Sequence, residues 1–469
     1  MPQIKKFIII GLDCLAPQLV NSRFVNQLDF FNKLKQSSRY GTLRSTIPAI
    51  TVPAWMTMMT SQDPGQLGIY GFRNRGSYDY NDQVIANSTF IKKPLLWDIL
   101  GEAGLKSTIL NVPQTYPPKP IKGNLVGCFL TPDLNSDFTY PKELKKELLL
   151  AVPDYQIDVN NFRTQDKEWL IKEIYKMTKA RFKAAKFLLE SKEWDFFMAV
   201  FMGPDRLHHG FWKYFDEEHP LYKPDSILKN VVEKYYISLD KNLEELLNPY
   251  IDNEEIAIFI VSDHGAKAMK GGFYINEWLM QEGYLKLIET PKKALKISHD
   301  IIDWDNTYCY GEGGYYSRIF LNIAGREPRG IIKENQKKDF LEELKKKLEA
   351  ILDDNGICMN NKAYLPDEIY HETNGIPPDI ILYLGDLSWR SQGTVGTSRL
   401  YTHENDTGPD DANHAQDGFF LLYHPGIGEN WLDHQAIYHI APTVLEAFGI
   451  KKPNHYLGTS FWKSSFYEE

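Results

Sequence analysis

The chain has 469 residues, 43% of them hydrophobic and 25% charged, with a formal net charge of -9 and a pI near 5.8. That length suggests about two to four domains, or one large α/β domain with an insertion, in an ordinary globular composition. The negative balance speaks against a nucleic acid polymer or an anionic membrane as the main partner, but leaves room for a small anionic substrate met by a bound metal.

Lys5 and Lys6 precede a short apolar stretch, Phe7-Ile8-Ile9-Ile10, which reads as a first buried strand ending in Gly11-Leu12-Asp13. It is too short for the apolar part of a signal peptide. No run approaches the roughly 18 apolar residues of a membrane span, so a cytoplasmic protein is the default expectation. Cys14, Cys128, Cys309 and Cys358 are scattered and suggest neither a disulfide framework nor a zinc knuckle.

The segment from Ser45 to Trp55 leads into an apolar helix over Ala54 to Met59. Pro53 suits a first helical turn, which places Thr51 at or beside the N-cap. A threonine there is an ordinary cap. It is also a hydroxyl at a helix start, where free N–H groups favour a phosphate and a metal can activate it for attack.

Pro94 to Ala103 reads as a helix, and Lys106 to Asn111 as a strand. From Asp166 to Ser191 the apolar residues Leu170, Ile174, Met177, Phe182, Ala185 and Leu188 recur at helical spacing. Asp195 to Met202 is a buried strand, Ile227 to Leu247 a helix, Ile256 to Val261 the most apolar strand, and Gly418 to Tyr423 another. Short strands alternating with long helices imply α/β architecture with a largely parallel sheet. Between Lys270 and about Thr394 the texture changes to aromatic clusters, a charged helix at Lys333 to Leu352 and a loop from His371 to Pro378. This suggests a core over 1–270 and 395–469, interrupted by an inserted α+β cap at 271–394.

The polar residues gather at the strand ends. Asp13 comes directly after the first strand, Asp205 and His209 after the third, and Asp263-His264-Gly265 after the fourth, while His414 lies just before the last. Ligand sites in open α/β sheets lie outside the carboxyl ends of strands. Singly, such an Asp serves as an Asx turn or helix cap, and such a His as a core residue. As a set, mixed carboxylates and imidazoles suit zinc or manganese. Six candidate ligands exceed the need of one catalytic ion, which points to two metals about 4 Å apart.

These pieces together resemble the alkaline phosphatase superfamily, in particular the type I phosphodiesterase/nucleotide pyrophosphatase-like group and the phosphohydrolase/phosphomutase proteins beside it. The resemblance runs from GLDCLAP through STIPAITVPAWMTMMTSQDPGQLGIYGF, NVPQTYPP, MGPDRLHHGFW, VSDHGA and DWDNTYCYGEGGYYSRIFLNIAGREPRG to the terminal IAPTVLEAFGI. It implies a three-layer αβα sandwich with a mostly parallel central sheet. It also implies Thr51 as nucleophile, one metal on Asp13, Thr51, Asp263 and His264, and another on Asp205, His209 and His414, with His208 behind them. Zinc is expected, with manganese as the alternative. The reaction expected is phosphate-ester hydrolysis through a phospho-threonine, on a small nucleotide, sugar or glycan-linked ester; a phosphomonoesterase or phosphomutase is the alternative.

Two departures bear on substrate. The asparagine that nucleotide pyrophosphatases carry beyond the nucleophile is absent from Gly68-Ile69-Tyr70-Gly71-Phe72, leaving Arg73 and Asn74 nearby as substitutes. Thr51-Val52-Pro53-Ala54-Trp55 lacks the modifiable residue and the arginine of sulfatases, which speaks against sulfatase chemistry. Asn111, Tyr316 and Arg318 are further candidates for substrate contact, with Tyr308, Tyr310 and Tyr315 as possible pocket walls.

Overall fold

The computed structural model describes residues 4–462. Its centre is a sheet in the spatial order Asn430–Trp431, Ser38–Arg44, Asp417–Tyr423, Ile256–Val261, Lys6–Leu12, Phe196–Phe201, Ser107–Leu110, Gly123–Val126 and Thr139–Tyr140. The five strands from Ile256–Val261 to Gly123–Val126 run parallel to one another. Asp417–Tyr423 is antiparallel to both of its neighbours, and Thr139–Tyr140 closes the far edge antiparallel.

The central strands are continuous apolar runs because both faces are covered. Every residue of IAIFIV and FFMAVF is buried. One helical layer brings together Asp29–Lys35, Lys167–Ser191, Gly203–Phe215 and Val231–Leu247; in the other, Thr51–Thr60 packs against Ile440–Ala447. This is the three-layer α/β architecture expected.

Several boundaries differ from the sequence reading for identifiable reasons. The Lys167–Ser191 helix starts where the Asp166 side chain accepts the Trp169 N–H, a cap worth about 1 kcal/mol. The helix expected from Ile227 begins at Val231, because the exposed Ile227 lies in the preceding turn. The charged helix spans Lys337–Glu349, preceded by a short 3₁₀ turn. Thr51 is the first helical residue, with Ile50 as the extended N-cap, so its hydroxyl makes no capping bond.

A second hydrophobic cluster gathers residues from Phe273 to Trp389 around an antiparallel sheet of Cys309–Glu312, Ser317–Leu321, Ile380–Tyr383 and Lys362–Tyr364. Tyr80 joins it from the first half of the chain and stacks on Trp304 at 3.6 Å. Strand Gly271–Tyr274 pairs with both Trp389–Gln392 and Tyr401–Thr402, carrying the contacts of this region past residue 394. A smaller cluster, including Ile50, Tyr70, Tyr316 and Tyr383, packs between the two cores.

Candidate active site

The carboxyl ends of the parallel strands deliver the site. Lys6–Leu12 runs directly into Asp13, and Trp55 of the Thr51–Thr60 helix donates its indole N–H to Asp13 Oδ2 at 2.8 Å. Gly11 permits this approach: a Cβ there would lie 2.4 Å from the Trp55 ring. Phe196–Phe201 leads into the Gly203–Phe215 helix, whose first two turns carry Asp205 and His209 on one face. His209 Nε2 lies 3.2 Å from Asp205 Oδ1. After Ile256–Val261 come Asp263 and His264, and the chain turns into strand Gly265–Ala268, which pairs with Ala412–Ala415 and sets Ala266 opposite His414. A Cβ on Gly265 would meet the Asp417 carbonyl at 2.2 Å, so glycine is what lets this turn approach the start of the Asp417–Tyr423 strand.

Two candidate ligand triads result: Asp205, His209 and His414, and Asp13, Asp205 and His264, with donor atoms in each within 4.8 Å of one another. Asp205 lies within reach of both, whereas the sequence reading placed it in only one. Asp263 sits beside the second triad, its Oδ2 3.2 Å from His264 Nε2. The rings of His264 and His414 stack at 3.7 Å, and the Thr51 hydroxyl lies 3.4 Å from His264 Nε2.

All three imidazoles are turned the same way. Nδ1 of His209 faces Asp410 Oδ1 at 2.7 Å, that of His264 the Gly265 carbonyl at 3.1 Å, and that of His414 the Ala49 carbonyl at 2.9 Å. Each acceptor holds the proton on Nδ1 and leaves a lone pair on Nε2 facing inward. Among the described residues, His209 Nε2, His414 Nε2, Asp13 Oδ1 and Asp263 Oδ2 are buried without a hydrogen-bond partner. Orphaned buried polar atoms are costly unless a ligand satisfies them, so the donor set fits divalent cations.

The electrostatics agree. Burial, then the neighbouring carboxylates, holds Asp13 and Asp263 well above the usual carboxylate range. Burial pushes Asp205 upward too, but His209 and Arg206 outweigh it and bring it well below. Burial lowers His264 and His414. It also opposes the charge of His209, yet Asp410, Tyr315 and Asp205 raise that group. Such crowded acids call for a positive partner, which a cation at Nε2 supplies in place of a proton.

A cavity of ≈ 460 Å³ opens onto this cluster. Thr51, Asp205, His209 and His414 line its floor, with Arg73, Tyr316 and Arg318 on its walls. The Tyr316 hydroxyl is engaged with the Tyr70 carbonyl at 2.6 Å, so this residue presents its ring. Two expected substrate contacts are not here. The Asn74 side chain accepts the Tyr70 N–H and donates to the Gly71 carbonyl, closing its own turn. Asn111 is fully buried, spent on the Gly127 carbonyl and the Tyr155 hydroxyl. Tyr308 stacks on Phe340 at the surface, and Tyr310 lies in the second hydrophobic core. His208 turns to the Tyr236 hydroxyl, and burial lowers it to about 3.

Sequence reasoning missed the polar frame behind His209. Asp410 accepts from Arg163 at 3.0 Å, Arg390 at 3.1 Å and Tyr315 at 3.2 Å as well as facing His209. Its one visible signal was an Asp-Asp pair just ahead of Asn413-His414. Arg206, which pairs with Asp205 and with Asp158, was hidden inside the ligand motif.

A buried acid–imidazole cluster at the carboxyl ends of a largely parallel sheet, opening into a cavity lined by arginines and a lysine, is the setting expected of a phosphoric ester hydrolase. Residues 7–410 match the family described as type I phosphodiesterase / nucleotide pyrophosphatase, and the chain belongs to that family. No curated protein sequence is matched. Among solved structures, human ectonucleotide pyrophosphatase/phosphodiesterase 5 is 13% identical at a TM-score of 0.56, covering 97% of this chain and 98% of its own. The murine protein is 13% identical at a TM-score of 0.54, with 97% and 98% covered. An inactive threonine-to-alanine form of it, in complex with AMP, is 12% identical at 0.54, with 98% of each chain covered. At these identities the structural likeness concerns the fold.

Proposed function

We propose that the protein hydrolyses small phosphodiesters, nucleotide esters first among them, through a phospho-threonine formed on Thr51. Asp13, Thr51, Asp263 and His264 would hold one divalent cation, and Asp205, His209 and His414 the other, with zinc favoured over manganese. The observation that carries this reading is the convergence of unpartnered, buried Nε2 and carboxylate atoms beside a threonine hydroxyl that caps no backbone N–H at its helix start. When bound, the cations supply Lewis-acid charge that eases ionisation of the hydroxyl and stabilises the leaving oxygen.

The chain itself does the positioning. Thr51, freed from any capping bond, directs its Oγ into the cavity, and the open N–H groups of its helix favour the phosphoryl charge. Its Oγ–P bond forms as the bond to the leaving alcohol breaks; the hydroxyl proton is lost to solvent, and the leaving oxygen gains one. Water then adds to phosphorus as the Oγ–P bond breaks, which releases a phosphomonoester and restores Thr51. The AMP complex of the murine relative supports nucleotides as the first class to assay.

The test compares bis-p-nitrophenyl phosphate with p-nitrophenyl phosphate, with zinc and with manganese. Faster cleavage of the diester is expected, and Thr51→Ala should lower kcat by about three orders of magnitude or more. Wild-type turnover in Thr51→Ala would remove the nucleophile assignment. Preference for the monoester would redirect the reading to a phosphatase or mutase.

A further inference from the structure

The cavity walls hold more positive charge than the metal-ligand assignment uses. Arg163, Arg206, Arg390, Arg318, Arg73 and Lys296 all line it. The first four are already engaged: Arg163 and Arg390 share Asp410, Arg206 lies 2.6 Å from Asp158, and Arg318 lies 2.6 Å from Glu312. Among the described residues, the side chains of Arg73 and Lys296 have neither an ion pair nor a hydrogen bond. In a molecule of net charge -9, two such cations on one concave surface stand out against the prevailing charge.

Their backbones are fixed although their side chains are free. Arg73 opens a hairpin, paired with Ile85, and its carbonyl accepts from the Arg318 guanidinium. Lys296 pairs with Thr394 in a short antiparallel ladder. The two residues stand where the main cavity meets a second one of ≈ 290 Å³, reaching Asn81 and His299. Arg73, Lys296, Gly313 and Arg318 line both. A Cβ on Gly313 would lie 2.6 Å from the Gly393 nitrogen, so bare backbone forms this part of the junction. Glu312, the acid in the outer cavity, is taken up by Arg318 and Gln83.

We propose that Arg73 and Lys296 form an anion clamp at this junction, and that the natural substrate carries a second anionic group, a phosphate or a carboxylate, remote from the phosphorus at Thr51. The proposal rests on the reading of the Thr51 cluster as the reacting centre. A concave wall focuses the field of unpaired cations, and a guanidinium and an ammonium together give an anion charge-assisted hydrogen bonds. One ester substituent of the substrate would run from the ligand cluster past Gly313 into the outer cavity and end there in the anion.

Calorimetric binding to the zinc-loaded protein tests this without requiring turnover. The probes are butyl phosphate, the bisphosphate of butane-1,4-diol and 4-carboxybutyl phosphate, with longer alkyl linkers in the same series. At the best linker length, a terminal phosphate or carboxylate should tighten binding roughly tenfold or more over the plain alkyl phosphate. Which terminus gains more identifies the anion. Arg73→Gln/Lys296→Gln should reduce the gain to about twofold or less, and the exposed Lys296→Gln alone should reduce it in part. No gain at any length, or a gain that survives the double substitution, overturns the clamp. Failure to cleave bis-p-nitrophenyl phosphate would instead overturn the diesterase reading, and the binding result stands apart from it.

Discussion

Asp410 shows how one side chain sets the state of another. Its carboxylate is fully buried and faces His209 Nδ1 while drawing in Arg163, Arg390 and Tyr315. Holding the proton on Nδ1 is what makes Nε2 a donor toward a metal, so Asp410 acts as a positioning residue. Asp410→Asn keeps the volume but removes the charge that orients the imidazole, and should weaken divalent metal binding about 10- to 100-fold. Metal titration of the apoprotein measures this, and unchanged circular dichroism would show that the fold survives. Equal affinity would mean that the Ala412 carbonyl, 3.1 Å from the same nitrogen, suffices alone. At this scale the inward-facing acids and imidazoles could be picked out in the sequence because each lies just before or after a recognisable strand. Asn74 and Asn111 misled because an amide near a site is as readily consumed by its own turn, and composition does not distinguish the two uses. Asp410 escaped notice because its effect depends on residues far away in the chain.

Elements are joined here by polar contacts that periodicity does not reveal. The Asp29–Lys35 helix has no capping side chain of its own at Leu28. Asp240, from the Val231–Leu247 helix, accepts the N–H groups of Phe30 and Phe31, each at 2.9 Å. The bond is therefore both a cap and a weld between two helices of one layer. Asp240→Ala leaves two donors without partners and should cost about 1–3 kcal/mol, while Asp240→Asn, which keeps an acceptor, should cost less. Urea denaturation at fixed metal concentration would read the difference; an equal loss in both variants would show that packing, not the cap, was removed. The strands and the long helix were legible because apolar runs and 3.6-residue spacing persist over their length. Helix starts were less so. The helix expected from Ala54 starts at Thr51, which lies beside the N-cap as expected, because Ile50, with extended backbone, takes the cap position without a polar side chain. That placement frees the hydroxyl for the cavity.

Across the molecule, the residues assigned to metal binding lie on segments that leave or enter the central sheet, while the antiparallel sheet of the second core reaches the cavity wall through Arg318. The change in texture near residue 270 suggested an insertion, and the hydrophobic cluster formed there also draws in Tyr80 and Leu400–Tyr401 from outside 271–394. The placement of the ligands predicts how metal removal acts. Without a cation, Asp13, Asp205 and Asp263 share one buried space, with the unpartnered carboxylate oxygens and imidazole nitrogens left unsatisfied. Binding adds stability as the logarithm of free metal over Kd, about 2.7 kcal/mol at 100 times Kd. Chelation should therefore lower Tm, and adding zinc back should restore it with a concentration dependence set by this relation. Asp263→Asn and His414→Ala, which strike the two proposed sites separately, should each reduce the zinc-dependent rise and the bound-metal count. Lys296→Gln, remote from the ligand atoms, should leave the zinc-dependent rise intact. If chelation left Tm unchanged while bound metal fell, the cations would contribute no net stabilisation to the central sheet. If metal content were unchanged in both Asp263→Asn and His414→Ala, the ligand set itself would be wrong.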